Sequence, residues 1–172
     1  MTDLFKINFK DKDVIKIQNK IKEFNWSKIS SSKTWEMGTN PEKLKELCEY
    51  WIDEYDWFTD QGYLNSFKQY KSDVDDLKIH FILEKGKGEK NYPLVLLHGW
   101  PGSVSEFHNV IPMLTKNSNN ISFDVIAPSL PGFGFSDKPN KPIGPRKMAN
   151  YINNLLVDVL GYKNYFVQGG DW

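Results

Sequence analysis

The residues with the clearest capacity for chemistry are the last four, Gly169-Gly170-Asp171-Trp172. A strand running straight into a small-x-nucleophile-x turn makes a nucleophile elbow. Small neighbours let the backbone take a strained turn that lifts one side chain clear of the sheet. Here that side chain is Asp171 rather than a serine. A carboxylate suits attack on an alkyl carbon, because the resulting ester lies within the enzyme itself. The plain alternative is an aspartate in a glycine-rich turn. A second motif, His98-Gly99-Trp100-Pro101-Gly102-Ser103, follows a short apolar run at residues 94–97. An elbow takes one backbone N–H for a developing oxyanion from the residue after the nucleophile, and another from the loop after an earlier strand. Those donors are expected at Trp172 and Trp100, with His98, Gly99, Pro101, Gly169 and Gly170 shaping the turns around them. The alternative for this loop is a simple Pro-Gly turn with His98 satisfied in the core.

A third motif, PSLPGFGFS at residues 128–136, contains Gly132-x-Gly134. Asp137 stands where a dinucleotide fingerprint needs its third glycine, and no helix is expected to open from the loop, which weighs against a phosphate cradle. There is no P-loop, no paired Cys or His at metal spacing and no Gly-x-Ser-x-Gly. Neither a metal nor a cofactor is expected.

The elements that must position these motifs follow from hydrophobic period. Val14, Ile17, Ile21 and Phe24 recur at helical spacing. Asn40 as N-cap and Pro41 at the first helical position open a second helix, whose Leu44, Leu47, Cys48, Trp51, Ile52 and Tyr55 form one apolar stripe, read as core-facing. From about Tyr63 the period falls towards two. Residues 67–70 and 77–83 read as a strand pair with a polar turn at 72–76. Residues 94–97, 123–127 and 165–168 read as strands buried on both faces. Ser103-x-x-Glu106 reads as a capping box, and Pro112 predicts a short or kinked helix after it. A further helix is predicted over 146–160, with Gly161 as its C′ residue. The order strand, helix, strand, helix, strand predicts a partial, mostly parallel α/β sheet behind a helical extension. The expected division is a helical region at 1–62 and a core at 63–172.

Composition closes off other classes. Lysine plus arginine number 22, and so do aspartate plus glutamate, which leaves no basic field for nucleic acid or anionic lipid. The single cysteine, Cys48, precludes an internal disulfide and fits a reducing compartment. Neither a signal peptide nor an apolar run of membrane-spanning length is present, so a soluble, cytoplasmic protein is expected.

Taken together, HGWPGS, PSLPGFGFS and GGDW at these intervals resemble the epoxide hydrolases of the α/β-hydrolase superfamily. The segment with Trp51–Trp57, Gln61, Leu64-Asn65-Ser66-Phe67, Tyr70 and Leu77-Lys78-Ile79-His80-Phe81 resembles the N-terminal region of the microsomal and juvenile-hormone branch. The likeness runs from about Ile7 to Trp172. It implies a small-molecule epoxide substrate, an aspartyl ester formed by Asp171, amides of Trp100 and Trp172 holding the oxyanion, and a vicinal diol as product. It also implies two lid tyrosines, a second carboxylate and a histidine base, none of which matches His80, His98 or His108. A fragment that is inactive by itself is therefore expected, with self-association through an exposed sheet edge. A non-catalytic interaction module and a haloalkane dehalogenase-like fragment stand as the alternatives, the N-terminal segment weighing against the latter.

Overall fold

A computed structural model describes residues 2–29 and 34–171. The chain divides into two compact units, Ile7–Tyr63 and the remainder.

The larger unit is built on one six-stranded sheet in the order β1-β2-β3-β5-β4-β6. Its strands are β1 (Thr2–Phe5), β2 (Gln69–Val74), β3 (Leu77–Glu84), β4 (Lys90–Leu97), β5 (Ile121–Pro128) and β6 (Phe166–Gly169). The sheet is mixed rather than mostly parallel. β1, β2, β3 and β5 pair antiparallel in succession, while β4 pairs parallel with both β5 and β6. The tight Asp75-Asp76 turn, with Asp75 at φ +52°, forces the antiparallel return from β2 to β3. β1 was not expected from sequence. Its four residues gain their order from pairing with β2, nearly seventy residues on.

The parallel half contains a reversal that matters for function. The chain leaves β4 through a 3₁₀ turn (Val104–Phe107) and a short helix (Ile111–Thr115) to reach β5 on one side. From β5 it crosses by a helix (Pro145–Asn154), continued as a π turn (Leu155–Val159), to β6 on the other side of β4. The two connections pack on opposite faces. Val95 and Ile126 point to the face holding Tyr151, Ile152, Leu155 and Leu156. Leu96, Val125 and Ala127 point to the face holding Val104 and Ile111. The carboxyl end of β4 is thus a topological switch point, where α/β sheets leave a crevice.

Local readings differ from expectation in two places. Ser103 Oγ accepts from Ser105 N at 3.3 Å over the 3₁₀ turn, so no α-helical capping box forms there. Pro112 does sit in the first turn of a five-residue helix, and Gly161 takes φ +77° just past Leu160. β6 is exposed at all four positions, instead of buried on both faces. It lies at the edge of the sheet, and its Phe166 and Val167 are exposed.

In the smaller unit, α1 (Asp11–Lys22), α2 (Pro41–Asp53) and α3 (from Trp57) carry the helical pattern. Asn40 caps α2, its Oδ1 accepting from Glu42 N at 2.9 Å and Lys43 N at 3.3 Å. Trp51 and Trp57 stack at 5.4 Å, and Gln18 Nε2 donates to Ile52 O at 3.0 Å. The α2 stripe is only half covered, because Leu47 and Trp51 are exposed.

Candidate active site

β4 and β6 run side by side, and Leu97 pairs with Gly169 at the point where both strands stop. An ideal Cβ at Gly169 would lie 3.1 Å from Leu97 Cβ, so glycine allows the strands this approach. Beyond them, His98–Ser103 and Gly170–Asp171 turn towards each other. Asp171 has φ +107°, a left-handed conformation that strains a residue with a side chain. Its Oδ2 accepts a 2.5 Å hydrogen bond from Trp100 N. A Cβ at Gly99 would stand 2.3 Å from the same oxygen. The absence of a side chain at Gly99 is what lets the carboxylate reach the Trp100 amide. At Gly170 a Cβ would meet nothing within 4 Å, so packing does not require glycine there. Pro101 follows Trp100 through a cis peptide bond. Trp172, expected as the second amide donor, lies outside the described residues.

The loop carrying Trp100 is braced from below. His98 is buried, and its Nε2 accepts from Leu130 N at 3.1 Å. With Nε2 accepting, Nδ1 carries the proton and faces Gly99 O at 3.2 Å. The Phe133 ring packs edge-on against the imidazole at 5.4 Å. Leu130 and Phe133 belong to the PSLPGFGFS segment, which sequence reasoning could only disfavour as a phosphate loop. Its function here is support. Ser129 N donates to His80 O at 2.8 Å, Asp137 N donates to Lys78 O at 2.9 Å, and His80 N donates to Ser136 Oγ at 2.9 Å, so the loop is laced along β3. Gly134, at φ +49°, keeps clear of Ser129 Oγ, which a Cβ would approach to 2.8 Å.

His80 is the hub of that lacing. Its Nδ1 accepts from the Ser129 hydroxyl at 2.8 Å and its Nε2 donates to Gln69 Oε1 at 2.9 Å, while Phe5 and Phe135 pack edgewise against it. Burial, then the Lys71 ammonium, push its pKa down from 6.5 to about 4. The ring is neutral and structural. Nothing in a single sequence links Gln69, His80 and Ser129, which lie far apart along the chain.

Two clefts open beside Asp171. One, of about 670 Å³, is walled by Leu97, Leu130, Phe133, Met148, Ile152 and Val167. The other, of about 510 Å³, is lined by Trp100, Glu106, Phe107 and Gln168. A strained carboxylate held by a backbone amide, beside an apolar cleft, has the chemistry to attack an electrophilic carbon.

Residues 2–107 match the epoxide hydrolase N-terminus family, and residues 92–172 match the α/β-hydrolase fold. The chain belongs to the epoxide hydrolases. Over 98% of its length it is 37% identical to juvenile hormone epoxide hydrolase 1 of Ctenocephalides felis and 34% identical to epoxide hydrolase 1 of Sus scrofa. It covers 37% and 39% of those proteins. The crystal structure of juvenile hormone epoxide hydrolase from Bombyx mori superposes with a TM-score of 0.92 at 38% identity, over the whole of this chain and 47% of that one. The epoxide hydrolase chain thus spans less than half the length of these relatives. Among its described residues, no helix is long and apolar enough to cross a membrane.

Proposed function

We propose that this chain supplies the nucleophile and oxyanion-holding part of an enzyme that hydrolyses epoxides to vicinal diols. The observation that carries the reading is Asp171 itself, at φ +107° with Oδ2 bonded by Trp100 N. The attack is assigned to the other carboxylate oxygen. A bond forms between that oxygen and an epoxide carbon, the ring C–O bond breaks, and the released oxygen takes up a proton from solvent water. Water then adds to the ester carbonyl, the acyl C–O bond breaks, and the diol leaves. At that second step Trp100 N and the amide of Trp172 would stabilise the oxyanion. The apolar cleft of about 670 Å³ falls within the size range of small-molecule sites, which supports an apolar epoxide.

None of the chain's three histidines is placed to activate that water. His80 is committed to Gln69 and Ser129, His98 to Leu130 N, and His108 lines neither cleft. We therefore infer that these 172 residues alone form the ester without cleaving it. We also infer that the exposed β6 edge drives self-association, which a rising mass with concentration in light scattering would support and a constant monomer mass would refute. The mechanism is tested by one turnover in heavy-oxygen water, using the enzyme that contains these residues. Label in the Asp171 carboxylate supports ester formation, and label in the first diol refutes it.

A further inference from the structure

The second cleft holds a group that the mechanism above does not use. Glu106 sits in the 3₁₀ turn after the Trp100 loop. An ideal Cβ at Gly102 would lie 1.6 Å from Glu106 Oε1 and 3.2 Å from Gly99 O. The carboxylate thus occupies the space that a side chain at position 102 would need. The missing side chain at Gly102 lets it fold back over the loop that carries Trp100. It lines the same cleft of about 510 Å³ as Asp171, and among the described residues these two carboxylates are the charged groups lining it. Among the described residues, this side of Asp171 therefore carries two carboxylates and no cationic side chain.

We propose that Glu106 is a specificity-determining residue that sets the charge class of substrate, disfavouring epoxides with an anionic group near the ring and favouring neutral and cationic ones. The proposal rests on Asp171 being the nucleophile. Any nucleophilic carboxylate repels an anion, and Glu106 adds a second carboxylate in a cleft that also borders the nucleophile. At low salt, with an effective dielectric constant of about 35 to 80 at a protein surface, one unit charge about 7 Å away changes the local concentration of a univalent ion by about 3- to 10-fold. The effect is screened by salt, which a purely steric role would not be.

The test uses three small epoxides of similar size and different charge: glycidate, glycidol and glycidyltrimethylammonium. Each is incubated with the 172-residue chain, and ester formation at Asp171 is followed by intact mass and peptide mapping. The quantity read is the ratio of rates between probes. The parent chain is expected to react in the order cation, neutral, anion, with the spread narrowing as sodium chloride is raised. In Glu106→Gln the anion-to-neutral ratio rises about 3- to 10-fold and loses part of its salt dependence. Glu89→Gln, at an exposed position just before the opposite end of β4, leaves the ratio unchanged. A Glu106→Gln ratio within twofold of the parent's, with the neutral probe esterifying Asp171 in both, overturns the assignment to Glu106 alone. Failure of every probe to esterify Asp171 in the parent overturns the nucleophile reading, and this proposal with it.

Discussion

Leu97 and Gly169 are register partners at the mouth of one crevice, yet the loops they lead into are supported in different ways. Below the Trp100 loop lies buried polar structure: His98 is held by Leu130 N and Phe133, and the loop carrying those two is laced to β3 around His80. The Asp171 turn follows a strand exposed at all four positions, and the Trp100 amide reaches over to its carboxylate. The difference teaches where the precision of the site originates. On the proposed reading, the donor is positioned by the sheet, and the nucleophile by the donor and by its own strained backbone. Such placement before substrate arrives is what gives a fixed dipole its value in catalysis.

If so, the largest effect should come from separating donor and nucleophile. Gly99→Ala places a Cβ 2.3 Å from Asp171 Oδ2 and must push the carboxylate off the amide. Ester formation at Asp171 is expected to slow on the order of 100-fold, with thermal stability changed by no more than ~3 kcal/mol. Unchanged kinetics would show that the amide does not position the nucleophile.

Next comes the brace. His98→Ala removes the acceptor of Leu130 N and empties a buried site, which should cost about 2–3 kcal/mol in urea unfolding. The rate of ester formation should fall with it, by roughly 10-fold. Lost stability with an unaltered rate would mean that the brace supports the fold and not the site.

The His80 hub sharpens the comparison through pH. Its folded pKa of about 4 lies below the ordinary 6.5, so the unfolded chain binds the proton more readily. The stability it contributes is fully present above pH 6.5 and is lost as pH falls towards about 4. The expected loss across that window is about 3 kcal/mol. In His80→Gln this part of the pH dependence should vanish. An unchanged urea midpoint profile in that variant would assign the acid sensitivity to other groups.

Smallest of all should be a change on the open side. Val167→Thr, on exposed β6, is expected to alter stability by no more than ~0.5 kcal/mol. A loss of several times that would show that β6 is held more firmly than its exposure implies.

How much of this was legible in the sequence follows from the range of the interactions. The elbow and the Trp100 loop are short-range patterns in which glycine spacing reports backbone geometry directly, so Asp171, Gly99 and Trp100 could be named without coordinates. The family likeness rested on the same motifs. The dual-face burial of β4 and β5 was legible as apolar runs, whereas β1 was not, since four residues of mixed polarity become a strand only by pairing with β2. The role of PSLPGFGFS was hidden for the same reason: its partners are His98 and His80, thirty to fifty residues away. Glu106 was read as one end of a capping box, and the bare Cα of Gly102 that turns its carboxylate into the cleft is visible only in three dimensions. The α2 stripe was over-read as core, because helical period reports an apolar face without reporting how completely it is covered.

The central claim is that Asp171 is a nucleophile made ready by the Trp100 amide, and it is tested most directly by trapping the ester. The 172-residue chain is incubated with styrene oxide and analysed by intact mass and peptide mapping, beside Asp171→Asn. The account predicts one epoxide equivalent per chain, located at Asp171, persisting after the reagent is removed and absent from Asp171→Asn. An adduct on another residue, or an equal yield in Asp171→Asn, would contradict it.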